Sequence, residues 1–164
     1  MKTRTIAIAV LLFSGAMIYG QQVTKITKPD GKITSQYQPS NPKQSLTELI
    51  DGNLNTKYYQ IYKTALWVQY ECAEPAVVNQ YIIASGGDMP DRDPKDWTLK
   101  ASVDGVKWDD LDVQKDQLFP TRKTERIFKI TNKNAYKFYR LDITANNGGS
   151  SGIQMAEWSL NLVK

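Results

Sequence analysis

The sequence predicts an all-β fold, and three observations support this prediction. Six segments alternate apolar and polar residues with a period of two, as strands with one buried face do. They are Trp67–Cys72, Val78–Ala84, Trp97–Val103, Arg126–Thr131, Tyr136–Ile143 and Trp158–Val163. Turn residues bound each segment, and the Asp104-Gly105 pair is typical of a tight β-hairpin. Because no long stretch repeats with a helical period, we expect a β-sandwich or a β-barrel.

The first twenty residues have the features of an export signal. Lys2 and Arg4 form a basic start, Ile6–Phe13 is an apolar core, and small residues follow up to Gly20. The apolar run is too short to be a membrane-spanning helix. We therefore predict cleavage near Gly20 and an exported protein without a transmembrane segment, located in the periplasm, on the cell surface or outside the cell.

Residues 21–44 are polar and are interrupted by prolines. Within them, Val23–Ile26 and Lys32–Tyr37 are predicted to be short strands that lead into the main domain, residues 45–164. That domain is predicted to begin with one short helical turn at Ser45–Ile50. The chain after the leader has the length of a single domain with one core.

The composition excludes several classes of function. The chain has 21 basic and 17 acidic residues, and the predicted leader contains two of the basic ones. The remaining excess of about two positive charges is too small to favour nucleic acid, whose binding requires many phosphates to be neutralised. A single cysteine, Cys72, forms no internal disulfide, which suits a bacterial envelope protein. The chain has no histidine, which excludes Ser-His-Asp and Cys-His catalysis and histidine-ligated zinc.

The segment Asp51–Thr56 places several oxygen-bearing side chains around one glycine. Oxygen ligands of this kind are what calcium prefers. Such a turn also forms without metal, because Asn and Asp bond their own backbone and Gly adopts positive φ. Both interpretations stay open from this segment alone, and Glu157, far along the chain, favours calcium.

Six motifs follow one another along the chain. They are Glu48-Leu-Ile-Asp-Gly-Asn-Leu-Asn-Thr, Trp67-Val-Gln-Tyr, Val78-Asn-Gln-Tyr-Ile-Ile, Trp97-Thr-Leu-Lys-Ala-Ser-Val-Asp-Gly-Val-Lys-Trp, Tyr139-Arg-Leu-Asp-Ile and Met155-Ala-Glu-Trp-Ser-Leu. Their order and spacing resemble the discoidin, or coagulation factor 5/8 type C, domain. Within that group the chain is most similar to the family-32 carbohydrate-binding modules of secreted bacterial glycosidases. The resemblance covers about residues 45–163.

This resemblance implies a jelly-roll β-sandwich of about eight strands (galactose-binding-domain-like), with a structural calcium near one end. A cation there would connect two segments that are roughly a hundred residues apart, which offsets the entropy of closing so long a loop. The alternative is a metal-free turn in which Glu157 forms a salt bridge. The positions that match the family's metal ligands are Asp51, Asn53, Thr56, Ala156 and Glu157.

The family binds sugars with loops at one end of the sandwich. The two corresponding loops here are 86–96, which contains an Arg-Asp pair, and 145–152, which contains two asparagines. Such a pair suits sugar hydroxyls, although it could equally connect parts of the loop to each other. A tyrosine cluster after the metal loop is the expected aromatic platform for a sugar ring. The predicted glycan contacts are Tyr59, Tyr62, Asp88, Arg92, Asp93, Asn146 and Asn147.

Tryptophans and clustered basic residues are further candidates for binding groups. Trp97, Trp108 and Trp158 share faces with apolar neighbours, which predicts that all three belong to the core. Basic residues from Arg122 to Arg140 alternate with apolar ones, which favours one solvated sheet face over a site for a polyanion.

These observations predict a non-catalytic, monomeric carbohydrate-binding module of an exported bacterial protein. Its ligand would be a glycan, and it would act beside a glycoside hydrolase or on a surface protein. The alternative is a protein-interaction or surface-adhesion domain, because one fold supports many functions. Glycoside hydrolysis by paired carboxylates is open only by residue type in loop 86–96, and a small sandwich offers little cleft, so we expect no enzyme.

Overall fold

The computed structural model describes residues 17–18, 20–148 and 151–164. Short 3-10 helices lie at Pro42–Gln44, Leu46–Leu49 and Pro90–Arg92, and the second of them is the predicted helical turn. Among the described residues, no helix has the length and apolar character needed to cross a membrane. The predicted leader lies outside the described residues except at positions 17, 18 and 20.

Strands dominate the part of the chain that the structure describes. They are β1 (Met17–Ile18), β2 (Gln21–Lys25), β3 (Lys32–Ser35), β4 (Tyr58–Ile61), β5 (Leu66–Val77), β6 (Gln80–Ala84), β7 (Pro94–Ser102), β8 (Asp109–Gln114), β9 (Glu125–Lys129), β10 (Ala135–Asn146), β11 (Gly152–Met155) and β12 (Glu157–Val163). All the pairings between them are antiparallel.

The strands form two large sheets and one small ribbon. The first sheet has the order β1-β2-β12-β6-β9, the second has the order β3-β5-β10-β7-β8, and β4 pairs with β11 in the ribbon. Strand residues alternate between the two faces of a sheet, so each large sheet has one apolar face. Side chains from both apolar faces form one continuous core cluster. The predicted fold class, an all-β sandwich, is therefore confirmed.

The six alternating segments correspond to β5, β6, β7, β9, β10 and β12, and the two lead-in strands correspond to β2 and β3. The predicted hairpin is also present, since β7 pairs with β8. Its loop is longer than a tight turn: Asp104 accepts hydrogen bonds from the backbone N–H groups of Val106 and Lys107, and β8 begins only at Asp109. The sequence did not predict β4, β8 and β11 as strands.

A hydrogen-bonded chain of side chains crosses the core. The Trp97 indole donates to the Tyr81 hydroxyl over 2.9 Å, and Tyr81 donates to the Asp112 carboxylate over 2.6 Å. Burial, reinforced by the negative charge of Asp112, raises the pKa of Tyr81 far above its ordinary value. These bonds satisfy polar atoms that would otherwise destabilise the core. The predicted core positions of Trp97 and Trp158 are confirmed.

Two predictions about the surface are wrong. Trp108 is half-buried and stacks on Arg140 instead of joining the core, because it lies in the hairpin loop on the outer side of the second sheet. The basic residues do not form one sheet face, since β9 and β10 belong to different sheets. Arg122, which precedes β9, forms an ion pair with Asp93.

Candidate functional site

The ribbon of β4 and β11 brings together loops that are far apart in the sequence. Gly152 pairs with Ile61 in this ribbon. Ser151, just before it, is the central connection: its carbonyl accepts from the Tyr59 hydroxyl over 2.6 Å and from the Tyr62 N–H over 3.0 Å. Its hydroxyl accepts from Arg92 Nε over 3.0 Å. Ser151 carries no sequence signal of this role, because all three partners meet it only in the folded chain.

Arg92 is held flat against an aromatic ring. Its guanidinium carbon lies 4.5 Å from the centre of the Tyr59 ring. Among the described residues Arg92 forms no ion pair. Tyr62, at the end of β4, is 76 % exposed, and its φ of 57° turns the chain away from the ribbon. The arrangement therefore combines a fixed cationic donor with an exposed aromatic ring.

The Arg92 and Asp93 side chains, both predicted to contact a glycan, have different partners. Asp93 is 1 % exposed, and its Oδ2 accepts from Arg122 Nη2 over 2.5 Å. Burial raises the pKa of Asp93, and the hydrogen bond and charge of Arg122 only partly oppose this. Arg92 and Asp93 point to different partners because they lie at the end of a 3-10 turn, where successive side chains diverge. Asp93 therefore supports the loop from inside.

The two asparagines of loop 145–152 differ in exposure. Asn146 is buried, and its side-chain amide donates to the Gly152 carbonyl over 2.8 Å. Asn147 is half-buried, and its backbone N–H donates to the Asp93 carbonyl over 2.9 Å. Its side-chain amide reaches the Pro90 carbonyl at 3.4 Å. Asn146 thus closes its own loop, whereas Asn147 connects that loop to the 86–96 loop.

Asp88 lies at the outer edge of the same surface. Its carboxylate forms an ion pair with Lys57 at 2.5 Å, and the hydrogen bond from Lys57 holds the pKa of Asp88 below its ordinary value. Lys57 also donates to Gln154 Oε1 over 2.9 Å, and Gln154 donates to the Met89 carbonyl over 3.1 Å. Lys57 and Gln154 were not predicted, and their spacing in the sequence gives no indication of this network.

The structure thus brings five of the seven predicted glycan contacts to one exposed or half-exposed region at the ribbon, here named the loop-end surface. An open cleft of about 390 Å³ adjoins it. Lys43, Lys57 and Lys123 contribute to its lining. The Lys123 ammonium donates to the Asn55 side chain over 2.7 Å. The members of the loop-end surface are Tyr59, Tyr62, Asp88, Arg92 and Asn147.

Residues 51–56 and Glu157 form a second cluster, here named the clasp. Glu157 Oε1 accepts from the backbone N–H groups of Gly52 and Asn53 over 2.5 and 3.1 Å. Asp51 accepts from the Asn53 N–H over 2.8 Å and from the Thr56 hydroxyl over 2.7 Å. The loop therefore folds back on itself and is attached to the first residue of β12.

Charge in the clasp is incompletely neutralised. Glu157 is 2 % exposed, and within the described part of the chain its Oε2 has no hydrogen-bond partner. The ion pair found for it among these residues is with Lys25, at 3.7 Å. Burial raises the pKa of Glu157 to about 7, and the nearby Asp51 adds to this shift. Burial would also raise the pKa of Asp51, but hydrogen bonds from Thr56 and Asn53 outweigh it and lower this pKa.

These atoms fit a hard cation in donor type and in charge. Two carboxylates, an amide and a hydroxyl are present, and one buried carboxylate oxygen lacks a partner. Within the described part of the chain, no three Asp, Glu, Cys or His side chains are grouped to hold a metal ion. Backbone carbonyls would therefore have to complete a calcium site.

Comparison with known proteins identifies the family. The model of the F5/8 type C domain matches residues 32–158. A peptide-N(4)-(N-acetyl-β-glucosaminyl)asparagine amidase from Arabidopsis thaliana is 39 % identical over 75 residues, which cover 43 % of this chain. The match spans only 10 % of that amidase, so it concerns a small part of the plant protein.

Solved structures with the same fold are carbohydrate-binding modules of family 32. One, from Clostridium perfringens in complex with GalNAc-β-1,3-galactose, has a TM-score of 0.69 and 14 % identity over 84 % of this chain and 99 % of its own. Another, from C. perfringens NanJ in complex with galactose, has a TM-score of 0.70 and 12 % identity over 85 % of this chain and 99 % of its own. With most of its length matched by the family model, the chain belongs to the F5/8 type C domain family.

Proposed function

We propose that this domain is a non-catalytic carbohydrate-binding module that binds glycans through the loop-end surface. The observation that carries the proposal is the Arg92 guanidinium, stacked on Tyr59 and fixed by the Ser151 hydroxyl. The Ser151 carbonyl also accepts from the backbone N–H of Tyr62, whose side chain is exposed. Sugar rings have apolar C–H faces that pack on aromatic rings and hydroxyls that accept from guanidinium N–H groups. The two similar modules, solved with galactose-containing sugars, support a glycan ligand.

Each member of the surface has a separate role in this proposal. Tyr62 stacks on the sugar ring, Arg92 donates to hydroxyls, and Asp88 and Asn147 accept or donate at the edge. Asp93 and Asn146 are buried, so we assign them to the support of the two loops. The adjoining cleft gives room for a second sugar unit. The protein would be exported by a bacterium and would hold a glycan near a glycoside hydrolase or a surface partner.

A glycan array followed by calorimetric titration of the best glycan tests this proposal. We expect micromolar-to-millimolar affinity and a loss of about tenfold or more in Arg92→Ala, which corresponds to one charge-assisted hydrogen bond. Lys129→Ala, an exposed substitution on β9, is the matched control and should bind normally. No glycan bound by the wild type, or equal affinity in Arg92→Ala, would overturn the proposal.

The second candidate is a protein-interaction or surface-adhesion domain. It is favoured by the exposed apolar side chain of Met89, which is 43 % exposed in loop 86–96. In this case Met89→Ser would abolish binding to the partner, whereas Arg92→Ala would leave that binding largely intact. A glycan array without hits, together with capture of a specific protein partner that depends on Met89, would favour this function.

We also propose that the clasp binds a structural calcium ion. Asp51 and Glu157 would supply carboxylate oxygens, and Asn53, Thr56 and Ala156 would supply neutral oxygens. Calcium would neutralise the two carboxylates when bound. Its effect is measured by thermal unfolding in calcium and in chelator, because a ligand that binds only the native state stabilises it by mass action. A transition several degrees higher in calcium is expected for the wild type and no shift for Glu157→Gln; equal transitions in the wild type would exclude the site.

A further inference from the structure

Two of the four tryptophans lie outside the core. Trp97 and Trp158 are at most 1 % exposed, whereas Trp67 and Trp108 are half-buried. Trp67 points to the outer face of β5, since its neighbours Leu66 and Val68 are buried in the core. Large indole rings on a solvated sheet face keep apolar surface in contact with water, which is unfavourable compared with burial in the core. They therefore call for an explanation other than core packing.

Arg140 connects these two rings. Its guanidinium carbon lies 4.4 Å from the centre of the Trp67 ring and 4.0 Å from that of Trp108. Gln69 Oε1 accepts from Arg140 Nε over 3.2 Å and from Nη2 over 2.8 Å, which fixes the plane of the guanidinium. Partial burial lowers the pKa of Arg140, although the guanidinium stays charged. We name Trp67, Arg140 and Trp108 the sheet-face stack.

The stack lies in the middle of a row of polar side chains. The register of four neighbouring strand pairs aligns one residue from each of the five strands of the second sheet. Such a row offers hydroxyl, amide, guanidinium and ammonium groups side by side on one face. The five residues, in order across the sheet, are Thr34, Gln69, Arg140, Lys100 and Asp110.

Charges on this face cancel. Lys100 pairs with Asp110 at 2.8 Å, and Lys32 pairs with Glu71 at 2.6 Å at the neighbouring position. Asp142 follows Arg140 on the same side of β10, since the two residues are separated by one strand position. The face therefore presents hydrogen-bonding groups and aromatic rings without an excess of either charge. This complementarity favours an uncharged, hydroxyl-rich partner over a polyanion.

We propose that the outer face of the second sheet, centred on the sheet-face stack, is a second glycan-binding surface that takes an extended, uncharged polysaccharide chain. The face is open and spans five strands, so it suits consecutive sugar units better than a single terminal sugar. Exposed edges of the two indoles pack against sugar C–H groups, and the polar row bonds the hydroxyls. No residue of the loop-end surface belongs to it.

Affinity electrophoresis in gels that contain one polysaccharide each tests this surface. The probes are galactomannan, xyloglucan and mixed-linkage β-glucan as uncharged chains, and polygalacturonate as a charged one. We expect retardation by at least one uncharged chain that is reduced about tenfold or more in Trp108→Ala and largely restored in Trp108→Phe, which keeps an aromatic face. Arg92→Ala, altered only at the loop-end surface, should be retarded like the wild type.

A measurement on the unmodified protein accompanies the variants. The retarding polysaccharide should protect tryptophan fluorescence from acrylamide, because Trp67 and Trp108 are the half-exposed indoles. No retardation by any uncharged chain, stronger retardation by polygalacturonate, or equal retardation of the wild type and Trp108→Ala would each overturn the proposal. Loss of retardation in Arg92→Ala would assign the polysaccharide to the loop-end surface and would also overturn it. The proposal that the loop-end surface binds glycans is tested independently, by the calorimetric titration of Arg92→Ala.

Discussion

Asp93 and Arg122 show how a buried charge holds loop 86–96 in place. The carboxylate is 1 % exposed, whereas the Arg122 side chain keeps 25 % of its surface in solvent. A buried carboxylate without its partner is costly, because nothing replaces its lost hydration. The partly exposed guanidinium, in contrast, can recover water when the carboxylate is removed. Leaving Asp93 unpaired should therefore cost more stability than leaving Arg122 unpaired.

This inequality predicts different costs for the two single substitutions. Arg122→Ala should lower the free energy of unfolding by about 3 kcal/mol, because it leaves a buried carboxylate unpaired. Asp93→Asn should lower it by only about 1 kcal/mol, because the remaining groups can still form hydrogen bonds. Urea unfolding at neutral pH measures both values. A larger loss in Asp93→Asn than in Arg122→Ala would contradict this account.

Glu157 gives the stability a dependence on pH. Its pKa is raised from 4.5 to about 7 in the folded chain, so between these values the folded state holds more protons than the unfolded state. Its contribution is therefore complete below pH 4.5 and is lost as the pH rises through 7. In chelator, the wild type should lose up to about 3 kcal/mol more than Glu157→Gln between pH 5 and pH 8. If urea titrations show the same loss of stability with pH in the two proteins, the raised pKa of Glu157 is contradicted.

Single residues were predictable where the family resemblance or strand alternation specified them. The resemblance aligned Asp51 with Glu157, and the structure places their loops together. Arg92 and Asp93 were both expected to contact the glycan, and a single sequence does not show that Asp93 is buried against Arg122. Arg122, the actual partner, lies 29 residues further along the chain and approaches Asp93 only after the sandwich has formed.

At the scale of elements, the ribbon of β4 and β11 depends on Gly152. Its φ is 143°, and a Cβ atom there would lie 2.3 Å from the Gln60 carbonyl oxygen and 2.7 Å from the Tyr59 ring. No side chain fits in that space without separating the two strands. Because Tyr59 supports Arg92, the ribbon also determines the shape of the loop-end surface.

Replacing Gly152 by Ala should therefore cost stability and binding together. We expect a loss of about 3 kcal/mol, combining the strained φ with the collision. Gly148→Ala is the matched control: its φ of 99° is also positive, but nothing lies within 4 Å of the added Cβ, so only about 1 kcal/mol should be lost. Urea unfolding measures the stability of both variants. Equal losses of stability would show that the collision at Gly152 is relieved without cost.

The sequence predicted long strands well and short ones poorly. β5 and β10 each alternate over many residues, which makes the buried face unambiguous. β8 begins with two aspartates, and β11 is buried at every position, so neither shows a clear alternation. β4 has only four residues and lies just after the clasp, so the sequence pattern predicted a loop there. β4 and β11 form by pairing with each other although they lie far apart in the chain, which a single sequence does not display.

At the scale of the whole molecule, β2, near the start of the chain, lies beside the last strand, β12. β2 pairs with β12, and Gln22 and Lys164 exchange two backbone hydrogen bonds of 3.1 and 2.9 Å. The Ile26 N–H also donates to the Leu160 carbonyl over 2.7 Å. The predicted cleavage near Gly20 would leave all these contacts intact, since β2 begins at Gln21.

Two truncations test how much the pairing of β2 with β12 contributes to stability. Removal of residues 1–20 should change the free energy of unfolding by no more than about 0.5 kcal/mol, as surface changes commonly do. Removal of residues 1–26 should cost about 2 kcal/mol or more, because β12 loses one of its two hydrogen-bonded neighbours. Urea unfolding of the two shortened chains makes the comparison, and equal stabilities would mean that β2 contributes little.

The pairing of Gln22 with Lys164 also determines how the domain can be mounted on another protein. The clasp and the ribbon adjoin the start of β12, whereas Lys164 lies beyond its end, roughly 20 Å away at about 3.3 Å per strand residue. Polypeptide joined before Gln22 or after Lys164 would be attached at the same end of the domain, opposite the clasp and the ribbon. A bulky carrier fused there would leave the clasp and the loop-end surface pointing outward. A circular permutant that links Lys164 to Gln21 through a few glycines would likewise keep the residues of these two surfaces in place.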